Sequence, residues 1–293
     1  PSDLTAGLEY NRDRLKDNMW GYNRHTDQTV NIYSAFLQNE WKNDRWGILI
    51  GGRLDKHNMV DNVIFSPRAN LRFNPTQNIN LRLSYSSGFR APQAFDEDMH
   101  IENVGGTVAM IERAKDLKEE KSQSFSVSAD MYHRFGAFQT NLLIEGFYTR
   151  LTDVFVLGKP YDRGDGILVK TRSNGPGAKV MGLTLEGKVA YLSILQIQAG
   201  LTLQRSRYDE PHKWHDDAPA EKKIFRTPDT YGYFTATCTP IKPLSIALSG
   251  TYTGRMLVQR MDITAENAEL GKMPERKAEA IRTPRFFDLG VKL

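Results

Sequence analysis

The chain has 293 residues, of which 40% are hydrophobic and 25% charged, and its formal net charge is +4. This mild charge does not favour a nucleic-acid-binding protein, and a single cysteine, Cys238, excludes a disulfide framework. The longest apolar runs, such as residues 46–52, fall far short of the ~20 residues of a transmembrane helix. A helical membrane protein is therefore excluded, whereas a membrane β-barrel is not, because barrel strands are only half apolar. The start at Pro1, without a secretory leader, indicates a mature chain or a piece of one.

Apolar and polar residues alternate along most of the chain. From 195 to 204, for example, every second residue is apolar, and the residues between them are Gln, Gly or Thr. Such alternation predicts strands with one apolar and one polar face. Twelve strands are predicted, at 4–14, 29–41, 45–56, 63–74, 79–90, 120–134, 138–155, 176–190, 194–207, 228–239, 244–258 and 284–293.

The connections between these strands are of two kinds that alternate along the chain. Tight turns rich in Pro, Gly and Asn fall at 42–44, 75–78, 135–137, 191–193 and 240–243. The others fall at 15–28, 57–62, 91–119, 156–175, 208–227 and 259–283, and only 57–62 is short. In a meander this places tight turns at one end and long loops at the other. The predicted fold is all-β: an antiparallel, up-and-down transmembrane β-barrel with an apolar face toward lipid and a polar lumen. A soluble sandwich or propeller, with the apolar face in a packed core, is the alternative.

One stretch is specific enough to suggest a family. Residues 84–92 read SYSSGFRAP, where a strand emerges into a long connection. Weaker motifs occur at 51–55, 65–68, 103–106, 117–122, 174–175 and 182–186. In these motifs and their order the chain resembles the TonB-dependent outer-membrane receptor family, from whose pattern Glu119 and Thr184 depart.

The resemblance implies that residues 1–293 are the C-terminal portion of a twenty-two-stranded barrel with short periplasmic turns and long extracellular loops. The N-terminal plug domain with its TonB box, the first strands and the last two strands are then expected to be absent. The implied function is active uptake of a scarce nutrient, foremost a siderophore-iron chelate, across the outer membrane of a Gram-negative bacterium. The implied protein is a receptor and not an enzyme.

The resemblance also implies the partners. The TonB-ExbB-ExbD complex would supply energy through the plug, outer-membrane lipid would surround the barrel, and a small molecule would bind the loops. A surface lipoprotein can be a further partner, and nucleic acid is not expected. No resident cofactor is expected, although the cargo itself can carry iron or cobalt. A passive outer-membrane pore and a barrel enzyme or adhesin remain as alternatives.

Candidate site residues come from the long connections. Arg90 ends the motif strand and either fixes the barrel rim or contacts substrate. In loop 156–175, Tyr161 and Arg163 are candidates, because a guanidinium can clamp a carboxylate or phosphate. In loop 208–227, Trp214 can stack on a ligand ring, and a water-exposed polar loop is the plainer interpretation.

Metal-binding candidates are weaker. His212, His215 and Asp216 have metal-ligand chemistry in loop 208–227, and the triplet Asp96, Glu97 and Asp98 offers hard oxygen ligands for Ca²⁺. For both groups a solvated polar loop is the favoured interpretation. The segment 111–117 can form a short helix.

Four arginines are predicted to line the lumen on consecutive strands: Arg53, Arg68, Arg72 and Arg82. Such a basic wall can attract an anionic ligand or the carboxylates of a plug, or it can pair within the lumen with residues such as Asp55. Trp46 and Tyr85 are predicted to lie in the aromatic girdles at the two membrane surfaces.

Overall fold

The computed structural model describes residues 1–94, 102–104, 107–165, 167–215, 218–241, 243–263 and 276–293. The strands are β1 (Ser2–Met19), β2 (Arg24–Lys42), β3 (Trp46–His57), β4 (Ile64–Thr76), β5 (Ile79–Arg90), β6 (Glu102–Val104), β7 (Thr107–Arg113), β8 (Glu120–Phe135), β9 (Phe138–Thr152), β10 (Phe155–Leu157), β11 (Tyr161–Asp162), β12 (Leu168–Asn174), β13 (Ala178–Tyr191), β14 (Leu195–His212), β15 (Glu221–Lys223), β16 (Thr230–Ile241), β17 (Leu244–Thr253), β18 (Leu257–Ile263), β19 (Arg276–Arg282) and β20 (Phe286–Lys292). The described residues contain no helix long and apolar enough to cross a membrane.

Twelve strands form one antiparallel meander, as the alternation predicts. Their order in the sheet is β1-β2-β3-β4-β5-β8-β9-β13-β14-β16-β17-β20, so each strand lies beside its predecessor in the meander. The short β15 pairs with β14 outside this path, and β1 and β20 are the two ends of the sheet. The tight turns all fall at one end of the sheet, and Gly136 provides the left-handed backbone, with φ 59°, that the β8–β9 turn requires. The sheet is thus the arc of a barrel wall.

One face of this wall exposes large apolar side chains. Leu8 is 87% exposed, Val127 60% and Leu83 52%, and the strand register aligns Leu83 with Val127 on the same face. We call this surface the apolar face. A water-soluble protein rarely exposes apolar side chains over such a continuous area, so this exposure is typical of a surface that meets lipid.

Two rows of aromatic side chains border the apolar face. Near the tight turns, Trp46 stacks on Phe73 with ring centroids 4.3 Å apart, and Phe138 lies 4.8 Å from Tyr191. Toward the long loops, Tyr10 stacks on Tyr33 at 4.9 Å, and Tyr85 lies 4.8 Å from Phe125. About ten residues separate the rows along a strand, which at ~3.3 Å each and ~40° tilt covers the ~25 Å apolar band of a membrane barrel. Trp46 and Tyr85 therefore lie in the two girdles, as predicted.

The long loops build a second sheet over the long-loop end of the wall. Its order is β10-β12-β7-β6, with β11 beside β12. Strand β7, from the β5–β8 connection, runs parallel to β12, from the β9–β13 connection. Their facing residues Met110 and Val169 are both fully buried. Two separate connections are thereby joined by one small core.

Two sequence-based predictions about the connections are wrong. Residues 15–28 are not a loop, since β1 and β2 continue to the short 3-10 turn Trp20–Tyr22 and pair throughout. Beyond the aromatic row the exposed face of this hairpin becomes charged, as in the Arg14–Asp27 ion pair, so the apolar half of the alternation disappears. Residues 111–117 do not form a helix, because β7 extends to Arg113 and pairs with β12 instead.

Candidate functional site

A cavity of about 740 Å³ opens among the loops at the long-loop end of the wall. We call it the rim cavity. It lies between the tip of the β1–β2 hairpin, the turn after β3, the chain that follows β5, and the end of β7. Its lining residues are Asn23, Arg24, His25, Thr26, Asn58, Met59, Pro92, Ala94, Ile111, Glu112, Arg113, Ala114, Lys115, Leu117 and Arg163.

The β7–β12 pairing positions one side of this cavity. Arg172 of β12 faces Arg113 of β7, and its carbonyl accepts a hydrogen bond from the amide of Ala114 at 2.8 Å. Arg113 in turn donates from Nη1 to the carbonyl oxygen of Pro92 at 2.8 Å. The end of β7 is therefore fixed both to the neighbouring loop and to the chain that leaves the motif strand.

Two side chains anchor the chain after β5 to the wall. Gln28 of β2 accepts a hydrogen bond from the amide of Ala94 at 2.8 Å and donates to its carbonyl oxygen at 3.4 Å. His57, which is fully buried, accepts from the amide of Met59 at Nδ1 over 3.0 Å, and its Nε2 lies 3.1 Å from Oε1 of Gln93. The ring therefore bridges the β3 turn and the loop, with Nδ1 as acceptor and Nε2 toward the amide oxygen of Gln93.

The lining is rich in positive charge. Arg24 forms an ion pair with Asp17 at 2.8 Å, and Arg163 reaches Glu112 at 3.3 Å and Asp165 at 2.5 Å. The hydrogen bond from Arg163 holds the pKa of Asp165 below its ordinary value. Glu112 is the one carboxylate among the described lining residues, against the cations Arg24, Arg113, Lys115 and Arg163.

Lys115 is the most available of these cations. Its side chain is exposed and has neither a hydrogen bond nor an ion pair with any described residue. A cavity with a lysine at its mouth and arginines in its walls favours a negatively charged ligand, since guanidinium groups can donate two parallel hydrogen bonds to an anion. The lining of the rim cavity therefore carries more cationic than anionic side chains, and two of its cations, Arg24 and Arg163, are paired with carboxylates.

The residues predicted as ligand contacts fall into different environments. Arg163 lines the rim cavity, whereas the exposed Tyr161 is not among its lining residues. Arg90 ends β5, and its guanidinium lies over the ring of Phe155, 5.5 Å from the centroid, which ties the rim of the wall to β10. Trp214 is only 6% exposed and packs against Ala218, Ala278 and Phe225. Its ring is thus a core element of the loops and is not presented to a ligand, contrary to the stacking role suggested by the sequence.

The predicted metal ligands are not assembled in the described part of the chain. His212 lies against Tyr208 and His215 against Trp214, each with ring centroids 5.7 Å apart. Asp216 lies outside the described residues, as do Asp96, Glu97 and Asp98. Among the described residues no group of three or more metal-ligating side chains occurs.

The four arginines predicted for the lumen lie on the polar face of the wall. Arg53 donates to Asp55 at 2.8 Å, to Glu9 at 3.0 Å and to Ser34 at 2.8 Å, so it is paired within the wall. Arg68, Arg72 and Arg82 donate instead to amide or backbone oxygens, those of Gln38, Asn43 and Asn80. These three guanidiniums have no carboxylate partner among the described residues and keep their charge toward the lumen.

Sequence reasoning missed most of the rim cavity. Arg24 falls in the segment mistaken for a loop, and Arg113 and Lys115 fall in the segment expected to be helical. The signal that was present is the basic sequence Arg113-Ala114-Lys115 in the connection that follows the motif strand. The sequence does not indicate that Arg163 lies beside this basic segment, because their proximity depends on the parallel pairing of β7 with β12.

Comparison with known families gives one match. The family described as "TonB dependent receptor-like, beta-barrel" matches residues 1–267. No curated protein sequence matches this chain significantly.

Solved structures with a similar fold include siderophore receptors and an iron transporter. The siderophore receptor PirA from Acinetobacter baumannii is 16% identical with a TM-score of 0.68, and the match covers 99% of this chain and 45% of that one. A mutant of the ferric enterobactin receptor PfeA from Pseudomonas aeruginosa is 16% identical with a TM-score of 0.68, and the match covers 99% of this chain and 43% of that one. The FrpB iron transporter from Neisseria meningitidis is 13% identical with a TM-score of 0.62, and the match covers 99% of this chain and 45% of that one. The chain thus spans less than half the length of these proteins.

Proposed function

The chain belongs to the TonB-dependent receptor-like β-barrel family, and on this premise we propose that it forms part of an outer-membrane receptor for active uptake of an anionic metal chelate. A siderophore-iron complex is the foremost cargo. The protein would lie in the outer membrane of a Gram-negative bacterium, with the tight turns in the periplasm and the rim cavity at the cell surface. The iron is substrate here and not a resident cofactor.

The observation that carries this proposal is the positive lining of the rim cavity. Its four lining cations surround a volume of about 740 Å³, within the range of small-molecule sites. Dianionic catecholate ligands around a ferric ion give a chelate with net negative charge. The structural neighbours named as siderophore and ferric enterobactin receptors support the same cargo class.

Energy would come from the inner membrane. TonB, driven by ExbB and ExbD, would act on a plug domain inside the complete barrel. The charge of Arg68, Arg72 and Arg82 on the polar face offers a surface on which carboxylates of such a domain can pack, and Arg68 and Arg82 are exposed there. This chain would then supply the wall and the cargo-binding loops.

The test is cargo binding by the complete receptor. We expect Arg113→Gln combined with Lys115→Gln to raise the Kd for an anionic ferric catecholate by about 10-fold, because each lost cation removes roughly a kcal/mol or less at such a surface. Affinity for a neutral chelate should change little. Isothermal titration with both chelates measures the difference.

The matched control removes the same charge at the opposite end of the wall. Arg45 and Arg134 are exposed near the tight turns, so Arg45→Gln with Arg134→Gln should leave cargo binding unchanged. A gene deletion should abolish growth on the anionic iron source, and restoration should require both the receptor and TonB. Growth that persists without TonB would instead indicate a passive pore.

A further inference from the structure

The polar face of strands β4 and β5 carries three guanidinium groups that no carboxylate of the described chain neutralises. Arg72 of β4 and Arg82 of β5 face each other directly in the strand register. Arg68 lies on β4 four residues closer to the long loops, which is roughly 13 Å along the strand. None of the three forms an ion pair with any described residue. We call Arg68, Arg72 and Arg82 the lumenal arginine track.

The pair formed by Arg72 and Arg82 does not stabilise the wall. Like charges that face each other across two strands are destabilising. The two guanidiniums lean apart: Arg72 lies over Gly47 of β3, where a Cβ would be 3.1 Å from its Nε, and Arg82 donates to Asn80 at 2.8 Å. The carboxylate of Asp130, which faces Asn80 from β8, accepts hydrogen bonds from two other side chains. Both positive charges are therefore left for a partner in the lumen.

Charges at two other places on the polar face are satisfied within the wall. Arg53 is paired with two carboxylates, at 2.8 and 3.0 Å. Glu186 accepts from Tyr233 at 2.6 Å and from Gln198 at 3.0 Å, and Lys188 lies 3.4 Å from it. Such networks stabilise the wall itself. The lumenal arginine track has no network of this kind among the described residues, so its charge has a different use.

Serine hydroxyls lie beside the track between its two ends. From the level of Arg68 to that of Arg82, the other polar-face positions of β5 and β8 are all serines: Ser84, Ser86, Ser124, Ser126 and Ser128. The hydroxyl of Ser124 is 3.0 Å from that of Thr149, and the other four have no hydrogen bond to a described residue. A hydroxyl can both donate and accept, so these groups can bind a polar molecule between the guanidiniums.

The track lies between the rim cavity and the opposite end of the wall. The connection between β5 and β8 supplies more than half of the residues that line the rim cavity. Arg68 is level with Ser86 of β5, four residues or roughly 13 Å below Arg90, where that strand ends. At the other end, Arg72 is adjacent to Phe73 of the aromatic row near the tight turns. The three arginines therefore extend from below the rim cavity to the level of that aromatic row.

We propose that the lumenal arginine track is the route by which an anionic cargo leaves the rim cavity and crosses the lumen. On the polar face of β9 and β13, the carboxylates of Glu145 and Glu186 would repel such a cargo, so the guanidiniums make the side of β4, β5 and β8 the favourable one. Passage requires several weak sites instead of one tight site, and separate guanidiniums with hydroxyls between them meet this requirement.

The inference rests on the proposed function, because it requires an anionic cargo, and it adds the route that this cargo takes. Plug carboxylates at rest and cargo in transit would occupy the same guanidiniums in turn. Arginines that served only to seat the plug would matter for the resting receptor and not for the charge of the cargo in transit. The two roles therefore predict different results when the charge is removed.

The test compares binding and uptake of an anionic ferric catecholate by the complete receptor. We expect Arg72→Gln with Arg82→Gln to leave the Kd unchanged and to lower the maximal uptake rate about five-fold, since each cation at a hydrated surface contributes a factor of about two. Arg72→Lys with Arg82→Lys keeps the charge and should retain most of the uptake. As the matched control, Arg205→Gln with Arg207→Gln removes two exposed arginines from the opposite face of the wall and should leave uptake unchanged.

A second measurement distinguishes a route from a plug seat. If the arginines only seat the plug, the glutamine variant should conduct ions through the loosened barrel in planar bilayers, whereas we expect no added conductance. Added conductance, unchanged uptake in the glutamine variant, or equal loss in the lysine or control variant would each overturn the inference. Arg82→Gln alone, with about a two-fold loss of uptake, provides the same comparison where the double variant does not assemble.

The wild-type receptor separates this inference from the proposed function. A wild-type receptor without TonB-dependent uptake of the anionic chelate would contradict the proposed function itself. Normal wild-type uptake together with an unaffected glutamine variant would contradict the route alone.

Discussion

Asn174 joins three backbone segments through a single side chain. Its Oδ1 accepts from the amide of Lys118 at 2.8 Å, and its Nδ2 donates to the carbonyl oxygens of Lys118 at 3.0 Å and Asp153 at 2.8 Å. Asp153 has a left-handed backbone with φ 53°, which these bonds help to hold. Asn174, from the motif at 174–175, therefore links the two loops that build the second sheet through side-chain hydrogen bonds.

Substitution of Asn174 should loosen this junction. We expect Asn174→Ala to destabilise the loop layer by about 1–3 kcal/mol, because one amide and two carbonyl groups lose their partners. Asn174→Asp should be no better, since a carboxylate repels the two carbonyl oxygens. Hydrogen exchange at the amide of Lys118 measures the effect, and unchanged protection in both variants would contradict this role.

Asp55 gives a second prediction at this scale. Arg53 donates from Nε to Oδ1 of Asp55 at 2.8 Å, and Ser34 donates to the same oxygen at 2.6 Å, while the residue is only 3% exposed. Since both bonds use Oδ1, Asp55→Asn can keep them, whereas Asp55→Ala leaves both donors unsatisfied. We expect Asp55→Ala to lower the free energy of unfolding by about 1–3 kcal/mol and Asp55→Asn by less. Urea unfolding of the complete barrel in lipid vesicles compares them.

Residue identity alone predicted side-chain environments unevenly. Arg53 pairs with Asp55, as one of the sequence interpretations proposed, because the two lie two apart on the same strand face. Trp214 was misread, since its burial depends on Ala278, which is 64 positions away and belongs to another loop. Periodicity within a strand is local information, whereas packing between loops is not.

At the scale of elements, the wall strands were predictable and the loop strands were not. The alternation of β13 and β14 continues over the whole membrane band, so both strands were found. The ends of β13 were nearly correct, whereas β14 continues five residues beyond its predicted end, to His212. The β1–β2 hairpin was predicted to be shorter than it is, because its outer part has no apolar face and so does not show the alternation. Strands β7 and β12 are stabilised by pairing with each other across separate connections. The sequence near either strand does not indicate a pairing partner so distant in the chain.

The far end of β14 should respond to pH. Burial lowers the pKa of His212, which faces Glu221 of β15. His212 then binds a proton more readily in the unfolded segment than in the folded one. The folded segment therefore has its full stability above the ordinary imidazole pKa of about 6.5. This stability is lost as the pH falls through that value toward the lowered pKa.

We therefore expect amide exchange in β15 to accelerate, relative to the intrinsic rate, as the pH is lowered from 7.5 to 5. His212→Gln should remove this dependence, because it cannot titrate. Hydrogen exchange with mass spectrometry on peptides that cover 219–225 provides the measurement. A wild-type chain with pH-independent protection would argue against the burial of a neutral His212.

At the scale of the whole molecule, the wall separates two solvents. Adjacent leucines test this division, since Leu142 lies on the apolar face, midway between Phe138 and Tyr148, and Leu143 lies on the polar face opposite Asp130. Leu142→Arg should destabilise the barrel by about 2–4 kcal/mol, the cost of arginine at the bilayer midplane.

Leu143→Arg provides the matched comparison. It introduces the same charge one position away, beside Asp130 and Glu186, where water and carboxylates accommodate it. Folding into lipid vesicles, followed by the shift of the folded band on unheated gels, should distinguish the two. Equal tolerance of both substitutions would mean that Leu142 does not face lipid.

The parallel bridge between β7 and β12 has a consequence beyond this molecule. Each of the two loops provides backbone hydrogen-bond partners for the other. Each also contributes one buried residue to the contact between them, Met110 from β7 and Val169 from β12. An insertion or exchange in one loop alone would leave an unsatisfied edge on its neighbour. The two surface segments should therefore diversify in concert, and chimaeras that transplant only one of them between relatives should misfold at the cell surface where paired transplants succeed.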